Sequence, residues 1–196
     1  MTTLTNHGGL CLFYASFLGA RETSLPVYKS GMEVLAVYVH GARRNALVIV
    51  IYRPGSTAPT TEFFDDLADV LERASTYACP LILLGDVNLH LDVTDNPHTI
   101  KWQSILDSHG LIQHVRSSTH REGHILDVVV TRSDCPVTDV FVESPTISDH
   151  SFITTSVDLR FNNSRSASFT RRRGATSTVT SSPTTSVNRN CCAVHR

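Results

Sequence analysis

The run Leu47-Val48-Ile49-Val50-Ile51 is apolar at every position. Side chains alternate between the two faces of a strand, so this run reads as a strand covered on both faces, and Ala46 to Tyr52 as its full extent. Met32 to Val39 reads as a partner strand. The polar Arg43-Arg44-Asn45 between the two supplies turn chemistry for a hairpin. Leu10 to Leu18 is a further strand expectation, and Pro54-Gly55 stops the buried run from continuing.

Downstream, Phe63, Phe64, Leu67, Val70, Leu71 and Ala74 recur at helical spacing. Thr60 or Thr61 can cap that helix, and Glu62, Asp65 and Asp66 suit the positive end of its dipole. Leu81 to Leu84 is a short buried strand. A second helix begins with Asn96 as cap and Pro97 at its first position, turns Trp102, Ile105 and Leu106 inward, and ends at Gly110. Ile125 to Thr131, Val137 to Val142 and Phe152 to Leu159 complete the expected strands. Beyond Phe161 the chain is Ser, Thr, Arg and Asn with hardly a large apolar residue, a composition that cannot offset the entropy of ordering. Two parts are expected: a folded domain over 1–161 and a disordered basic tail over 162–196.

Charge divides the chain at nearly the same place. Residues 1–158 hold all 18 acidic and 10 basic residues, a net charge of -8, whereas 159–196 hold 7 arginines and no acid. Arg171-Arg172-Arg173 in the tail has the composition of a nucleic-acid patch or a nuclear signal, and equally of a solvated run. Cys11, Cys79, Cys135, Cys191 and Cys192 form no C-x-x-C pair, which favours a reducing compartment. No signal-peptide pattern and no membrane-length apolar stretch occur. The expected location is intracellular, nuclear or cytoplasmic, without membrane attachment; oligomeric state has no signature.

Three polar clusters sit at the ends of apolar runs, or just inside them, where unpaired polar groups are costly. Gly85-Asp86-Val87-Asn88 follows Leu81 to Leu84. Thr119, His124 and Asp127 border the run from Ile125, and Ser148-Asp149-His150 precedes Phe152. If these runs are neighbouring strands, the clusters converge on one sheet edge. An extended backbone through Asn88 would project Asp86 and Asn88 to the same side, a carboxylate to hold a water nucleophile and an amide to donate to an anionic oxygen. Asp127 is a natural acceptor for one nitrogen of His150, fixing its tautomer and favouring its protonated form. Asp149 remains free for a hard divalent cation, Mg2+ or Mn2+. Phosphodiester hydrolysis uses all of these parts.

Two competing readings are weaker. Contiguous Ser148-Asp149-His150 does not form a Ser-to-His-to-Asp line, and no G-x-S-x-G elbow occurs. His120 and His124 have the spacing of a zinc pair, but Arg121-Glu122-Gly123 between them reads as a loop, leaving solvated or DNA-facing histidines.

Taken in order, Gly85-Asp86-Val87-Asn88, the string Thr119 to Asp127, and Ser148-Asp149-His150 resemble the signature blocks of the endonuclease/exonuclease/phosphatase superfamily. More narrowly, they resemble the apurinic-endonuclease-type domain of non-LTR (LINE-like) retrotransposons. The likeness extends through Glu33 to Val37 and Ile51-Tyr52-Arg53-Pro54-Gly55, covering roughly residues 8 to 160. It implies that Asp86 positions or deprotonates water, that Asn88 and His150 contact the scissile phosphate, and that Asp127 orients His150. It further implies Tyr52 near the phosphate, Ser148 and Thr119 in phosphate or DNA-backbone contact, and Asp149 beside an Mg2+ or Mn2+ ion. The implied fold is a four-layer α/β/β/α sandwich of two mixed sheets, and the implied partner is DNA. The family's upstream asparagine and main metal-ligating glutamate precede the block that begins near His7-Gly8-Gly9, and neither Glu22 nor Glu33 sits in that glutamate's context. The expectation is a domain truncated at its N-terminus, without its first strands. The implied activity is DNA nicking that leaves a 3′-hydroxyl for a reverse transcriptase. A catalytically inactive fragment is the alternative, and a phosphatase of the same superfamily a less favoured one.

Overall fold

The structure, a computed structural model, describes residues 9–24, 28–41 and 44–159. The expected basic tail lies outside the described residues. Six strands form one mixed sheet, in the order β1 (Gly19–Glu22), β2 (Glu33–His40), β3 (Asn45–Tyr52), β4 (Leu81–Asp86), β6 (Asp127–Arg132) and β5 (Leu111–Gln113). A second sheet pairs β7 (Val137–Val142) with β8 (Ile153–Val157). The β3–β4 pair is parallel and the other pairings are antiparallel. Helix α1 (Thr61–Ser75) makes the crossover from β3 to β4, as a parallel pair requires. Helix α2 (Pro97–Ser108) follows β4. The architecture is an α/β sandwich.

Local sequence explains both helices. Thr60 caps α1 by accepting a hydrogen bond from Phe63 N at 3.3 Å, and Asn96 caps α2 by accepting one from His98 N at 2.8 Å, with Pro97 opening the helix. Both helices lie over the same sheet face. Phe63, Leu67, Val70, Leu71, Trp102 and Leu106 pack there against Leu47, Ile49, Ile51, Leu81, Leu83, Val128 and Val130 in one buried cluster. Alternation sends Val48, Val50, Ile82 and Leu84 to the opposite face, where they are only half-buried.

Several elements differ from the expectations, among them β1, which lies just after the segment expected as a strand. Leu10 to Leu18 is not a strand: the β1–β2 pairing begins at Gly19 with His40, and the segment before it ends in a turn in which Leu18 N donates to the Ala15 carbonyl at 2.9 Å. Phe13 and Phe17 are correspondingly exposed. The short β5 was hidden because three residues carry too little pattern to register as a strand. Strand β4 also runs two residues further than its apolar run, through Gly85 and Asp86.

Candidate active site

Register brings the first site residues together. Tyr52 on β3 pairs with Asp86 on β4, and Asp86 pairs with Asp127 on β6. Opposed residues in adjacent strands share a face, so the ends of three strands present these side chains in one row. Gly85 permits this tight arrangement: at φ +134° it brings its Cα against Ile51, and a Cβ there would lie 1.9 Å from the Ile51 carbonyl oxygen.

Asn88 reaches Asp86 through a turn rather than through strand alternation. Strand β4 ends at Asp86, and Asn88 adopts a left-handed φ of +48°, a region Asn tolerates better than most residues. Its backbone N–H donates to Asp86 Oδ1 at 2.9 Å, and its side-chain amide donates to Asp86 Oδ2 and to the Arg53 carbonyl, each at 2.8 Å. Both amide hydrogens of Asn88 are thus engaged within the protein, which makes Asn88 a support of Asp86 before any phosphate arrives.

On β6 the support is Thr119. It is fully buried, and its hydroxyl accepts hydrogen bonds from Leu126 N at 2.9 Å and Asp127 N at 3.0 Å. A side chain at 0 % exposure does not reach DNA, so the backbone contact implied for Thr119 is replaced by an internal role: it fixes the start of the strand that carries Asp127. Asp127 Oδ2 lies 2.9 Å from His150 Nδ1. A carboxylate there holds the proton on Nδ1 and leaves Nε2 facing Asp86 Oδ2, 3.9 Å away.

The turn carrying His150 is anchored by backbone bonds: Arg121 N donates to the Asp149 carbonyl at 2.8 Å, and Ser151 N donates to the Thr119 carbonyl at 2.8 Å. Ser148 Oγ bonds both the N–H and the carbonyl of His150, at 3.1 Å each, closing the turn on itself. Asp149 is exposed, with Oδ2 3.4 Å from His120 Nε2. His120 and His124 turn to different partners. His124 Nδ1 lies 3.1 Å from Asp92 Oδ2, and its ring stacks on His90 with centroids 3.8 Å apart.

Electrostatics follow from this packing. Desolvation raises the Asp86 carboxyl above its ordinary range, the nearby Asp127 charge adds to the rise, and the Asn88 hydrogen bonds and His150 hold it back. Burial works against the charged form of His150, but the Asp127 hydrogen bond and the charges of Asp127, Asp86 and Asp149 outweigh it and raise its pKa. Hydrogen bonding, to its own backbone N–H first and to His120 next, lowers the Asp149 carboxyl from its ordinary value. Two groups have ligand atoms within 4.8 Å of one another and can coordinate a divalent metal: Asp86, Asp127 and His150, and His120, Asp149 and His150. The first fits a hard cation by its chemistry, since two carboxylates crowd one another there and a dication balances that charge.

A family model described as endonuclease-reverse transcriptase, of the endonuclease/exonuclease/phosphatase type, matches residues 46–154, more than half of the chain. The chain belongs to that family. The match contains Asp86, Asn88, Asp127 and His150, and its members' metal-dependent nuclease or phosphodiesterase-like chemistry agrees with the two metal-capable clusters. Among solved structures, the fold is similar to the endonuclease domain of TRAS1, a telomere-specific non-LTR retrotransposon, at 13% identity and TM-score 0.54, covering 74% of this chain and 80% of that one. It is similar to the 3′ phosphatase NExo from Neisseria, solved with a product DNA hairpin, at 17% identity and TM-score 0.52, covering 72% and 80%. An endonuclease/exonuclease/phosphatase protein from Beutenbergia cavernae matches at 20% identity and TM-score 0.51, covering 72% and 44%. At these identities the likeness is one of fold. No curated protein matches the sequence. No helix among the described residues is long and apolar enough to cross a membrane.

Two supports of this family site, Asp92 and Arg53, were not among the candidate site residues. Asp92 Oδ1 accepts from Ile125 N at 3.0 Å while Oδ2 meets His124, pinning the loop that enters β6. Arg53, inside the Tyr52-Arg53-Pro54-Gly55 string, is buried at the end of β3 and bonds the loop after β4. The available signal was a cation directly after a buried strand, where a charge needs partners.

Proposed function

We propose that the protein is a divalent-metal-dependent endonuclease of the non-LTR retrotransposon type, nicking DNA to leave a 3′-hydroxyl. The observation that carries the reading is the convergence of Asp86, with its raised pKa, and the Asp127–His150 pair at one sheet edge. The DNA substrate is supported by the family match and by the DNA-bound relative of similar fold.

In this reading Asp86 accepts the proton of a water whose oxygen attacks the phosphorus. An elevated carboxyl pKa suits a base working near neutral pH. His150, held protonated by Asp127, presents Nε2–H to a phosphate oxygen as charge builds and the bond to the 3′-oxygen breaks, the departing 3′-oxygen taking a proton from solvent water to become the hydroxyl. Asn88 fixes the direction of the Asp86 carboxylate, and Tyr52, beside Asp86 on the next strand, faces the same phosphate. Mg2+ or Mn2+ would be held by the carboxylate oxygens of these clusters, those of Asp86 and Asp127 or that of Asp149, leaving His150 to the phosphate, and would supply Lewis-acid stabilisation of phosphate oxygens when bound.

Supercoiled plasmid incubated with the purified chain and Mg2+ is expected to give nicked circles, with loss of nicking in Asp86→Ala and His150→Ala. A folded wild-type chain that leaves the plasmid supercoiled in both Mg2+ and Mn2+ would overturn the reading and favour an inactive member of the family.

A further inference from the structure

Arg53 is 6 % exposed, yet it is bonded to each of the three residues that follow Gly85. Its backbone N–H donates to the Asp86 carbonyl at 2.9 Å. Its Nε donates to the Val87 carbonyl at 2.7 Å, and a terminal guanidinium nitrogen donates to the Asn88 carbonyl. The other terminal nitrogen donates to the carbonyls of Pro54 at 3.0 Å and Thr57 at 2.8 Å. In return the Arg53 carbonyl accepts from the Asn88 side chain at 2.8 Å. The guanidinium lies 5.7 Å from the centroid of Phe63 on α1.

We infer that Arg53 is a positioning residue for the Asp86–Asn88 pair, its planar guanidinium clamping the loop after β4 so that Asn88 keeps its left-handed backbone and its amide stays on Asp86. The inference rests on the endonuclease reading for its catalytic consequence, and on hydrogen bonding alone for its structural one. The strain of a non-glycine residue at φ +48° persists only when the surroundings over-determine it. Here the over-determination is specific: the carbonyls of Val87 and Asn88 both point at one guanidinium, which offers two rigidly spaced donors. A lysine retains the charge but presents a single ammonium group, which cannot replace a planar fork. Gly55 closes the other side of Asn88. A Cβ at Gly55 would lie 2.6 Å from Asn88 Oδ1, so the amide sits in a slot bounded by both residues.

Arg53→Lys tests this with two readouts. The side-chain amide of Asn88, identified as the 15N–1H cross-peak pair missing from Asn88→Asp, is expected to move toward free-amide shifts and exchange faster in Arg53→Lys. The nicking rate at saturating DNA is expected to fall on the order of 10²-fold with KM unchanged, the scale of a small misplacement of reacting groups. The fall should vanish in an Asn88→Ala background, because a residue that acts through Asn88 has nothing left to position. An unmoved amide overturns the inference whether or not the chain cleaves DNA, and an equal loss of rate in both backgrounds overturns it for an active chain. A wild-type chain without nicking bears on the endonuclease reading alone, since the amide still decides for Arg53. Arg53→Gln stands in should Arg53→Lys not fold.

Discussion

The two halves of the site are anchored in different ways. Asp86 and Asn88 leave the end of a central strand and are fixed from inside the protein, by the buried Arg53 and by their bonds to one another. His150 stands on a surface turn whose neighbours Ile147 and Asp149 are exposed, and it is held by the Asp127 side chain and a few backbone bonds from the Thr119–Arg121 segment. The difference separates two demands. A base must hold its geometry with little freedom, and burial of its surroundings supplies that. A group that meets a phosphate must stay accessible, so its position rests on charge pairing more than on packing.

The inner half is therefore where substitutions should cost most. Asp86→Ala removes the base, and a loss of nicking of about 10³-fold is expected, within the range for general-base removal. Cleavage retained within tenfold would shift the base role away from Asp86. Gly85→Ala is expected to cost stability on the order of 3 kcal/mol or more, because its Cβ would meet the Ile51 carbonyl at 1.9 Å between two paired central strands. Denaturant unfolding measures this; a cost under about 1 kcal/mol would mean the strands separate more easily than their register implies.

Thr119 links the two halves, and its replacement sharpens the contrast between them. Thr119→Val keeps the shape but leaves the N–H groups of Leu126 and Asp127 without their acceptor. A loss of about 2 kcal/mol is expected, the penalty for stranding buried donors. The same change should lower the nicking rate, since Asp127 carries the His150 contact. Stability unchanged in Thr119→Val would show that water replaces the hydroxyl and that the segment is less tightly sealed than its burial indicates.

Much of the fold was legible because the signals were local. The five-residue apolar run, the helical recurrence from Phe63 to Ala74 and the Asn96-Pro97 start each depend on nearby residues, and each matches its element. The segment Leu10 to Leu18 misled for a non-local reason: its apolar character suits a strand, but the β1–β2 ladder starts only at Gly19 with His40 and the chain before it turns. At the site, residue types were readable and their geometry was not. Asp86 and Asn88 meet, though by a left-handed turn that alternation does not foresee. Thr119 carries a polar side chain whose destination, inward to two backbone N–H groups, is decided by a loop closing seven residues later. For Arg53 the sequence shows only a cation at the end of a buried strand; its partners, backbone carbonyls 34 and 35 residues away, leave no mark on residue type.

The smallest expected effect lies in the outer half and concerns pH. Because the pKa of folded His150 is raised above its ordinary 6.5, the folded state binds this proton more tightly than the unfolded chain. The resulting stabilisation is full below about pH 6.5 and is lost as pH rises through the raised value. The shift of Asp86 also favours its protonated form in the fold, and that contribution is lost as pH rises from 3.8 through the raised value; wild type and His150→Gln both carry this carboxyl, so their difference reports His150. Melting temperatures in metal-free buffer, compared between wild type and His150→Gln, should therefore converge as pH climbs above 6.5, whereas Asp127→Asn, which removes the charge that favours the imidazolium, should flatten the pH dependence in the same interval. A wild-type advantage that grows with pH instead would mean that burial outweighs the Asp127 pairing, and would place the outer half under packing control like the inner one.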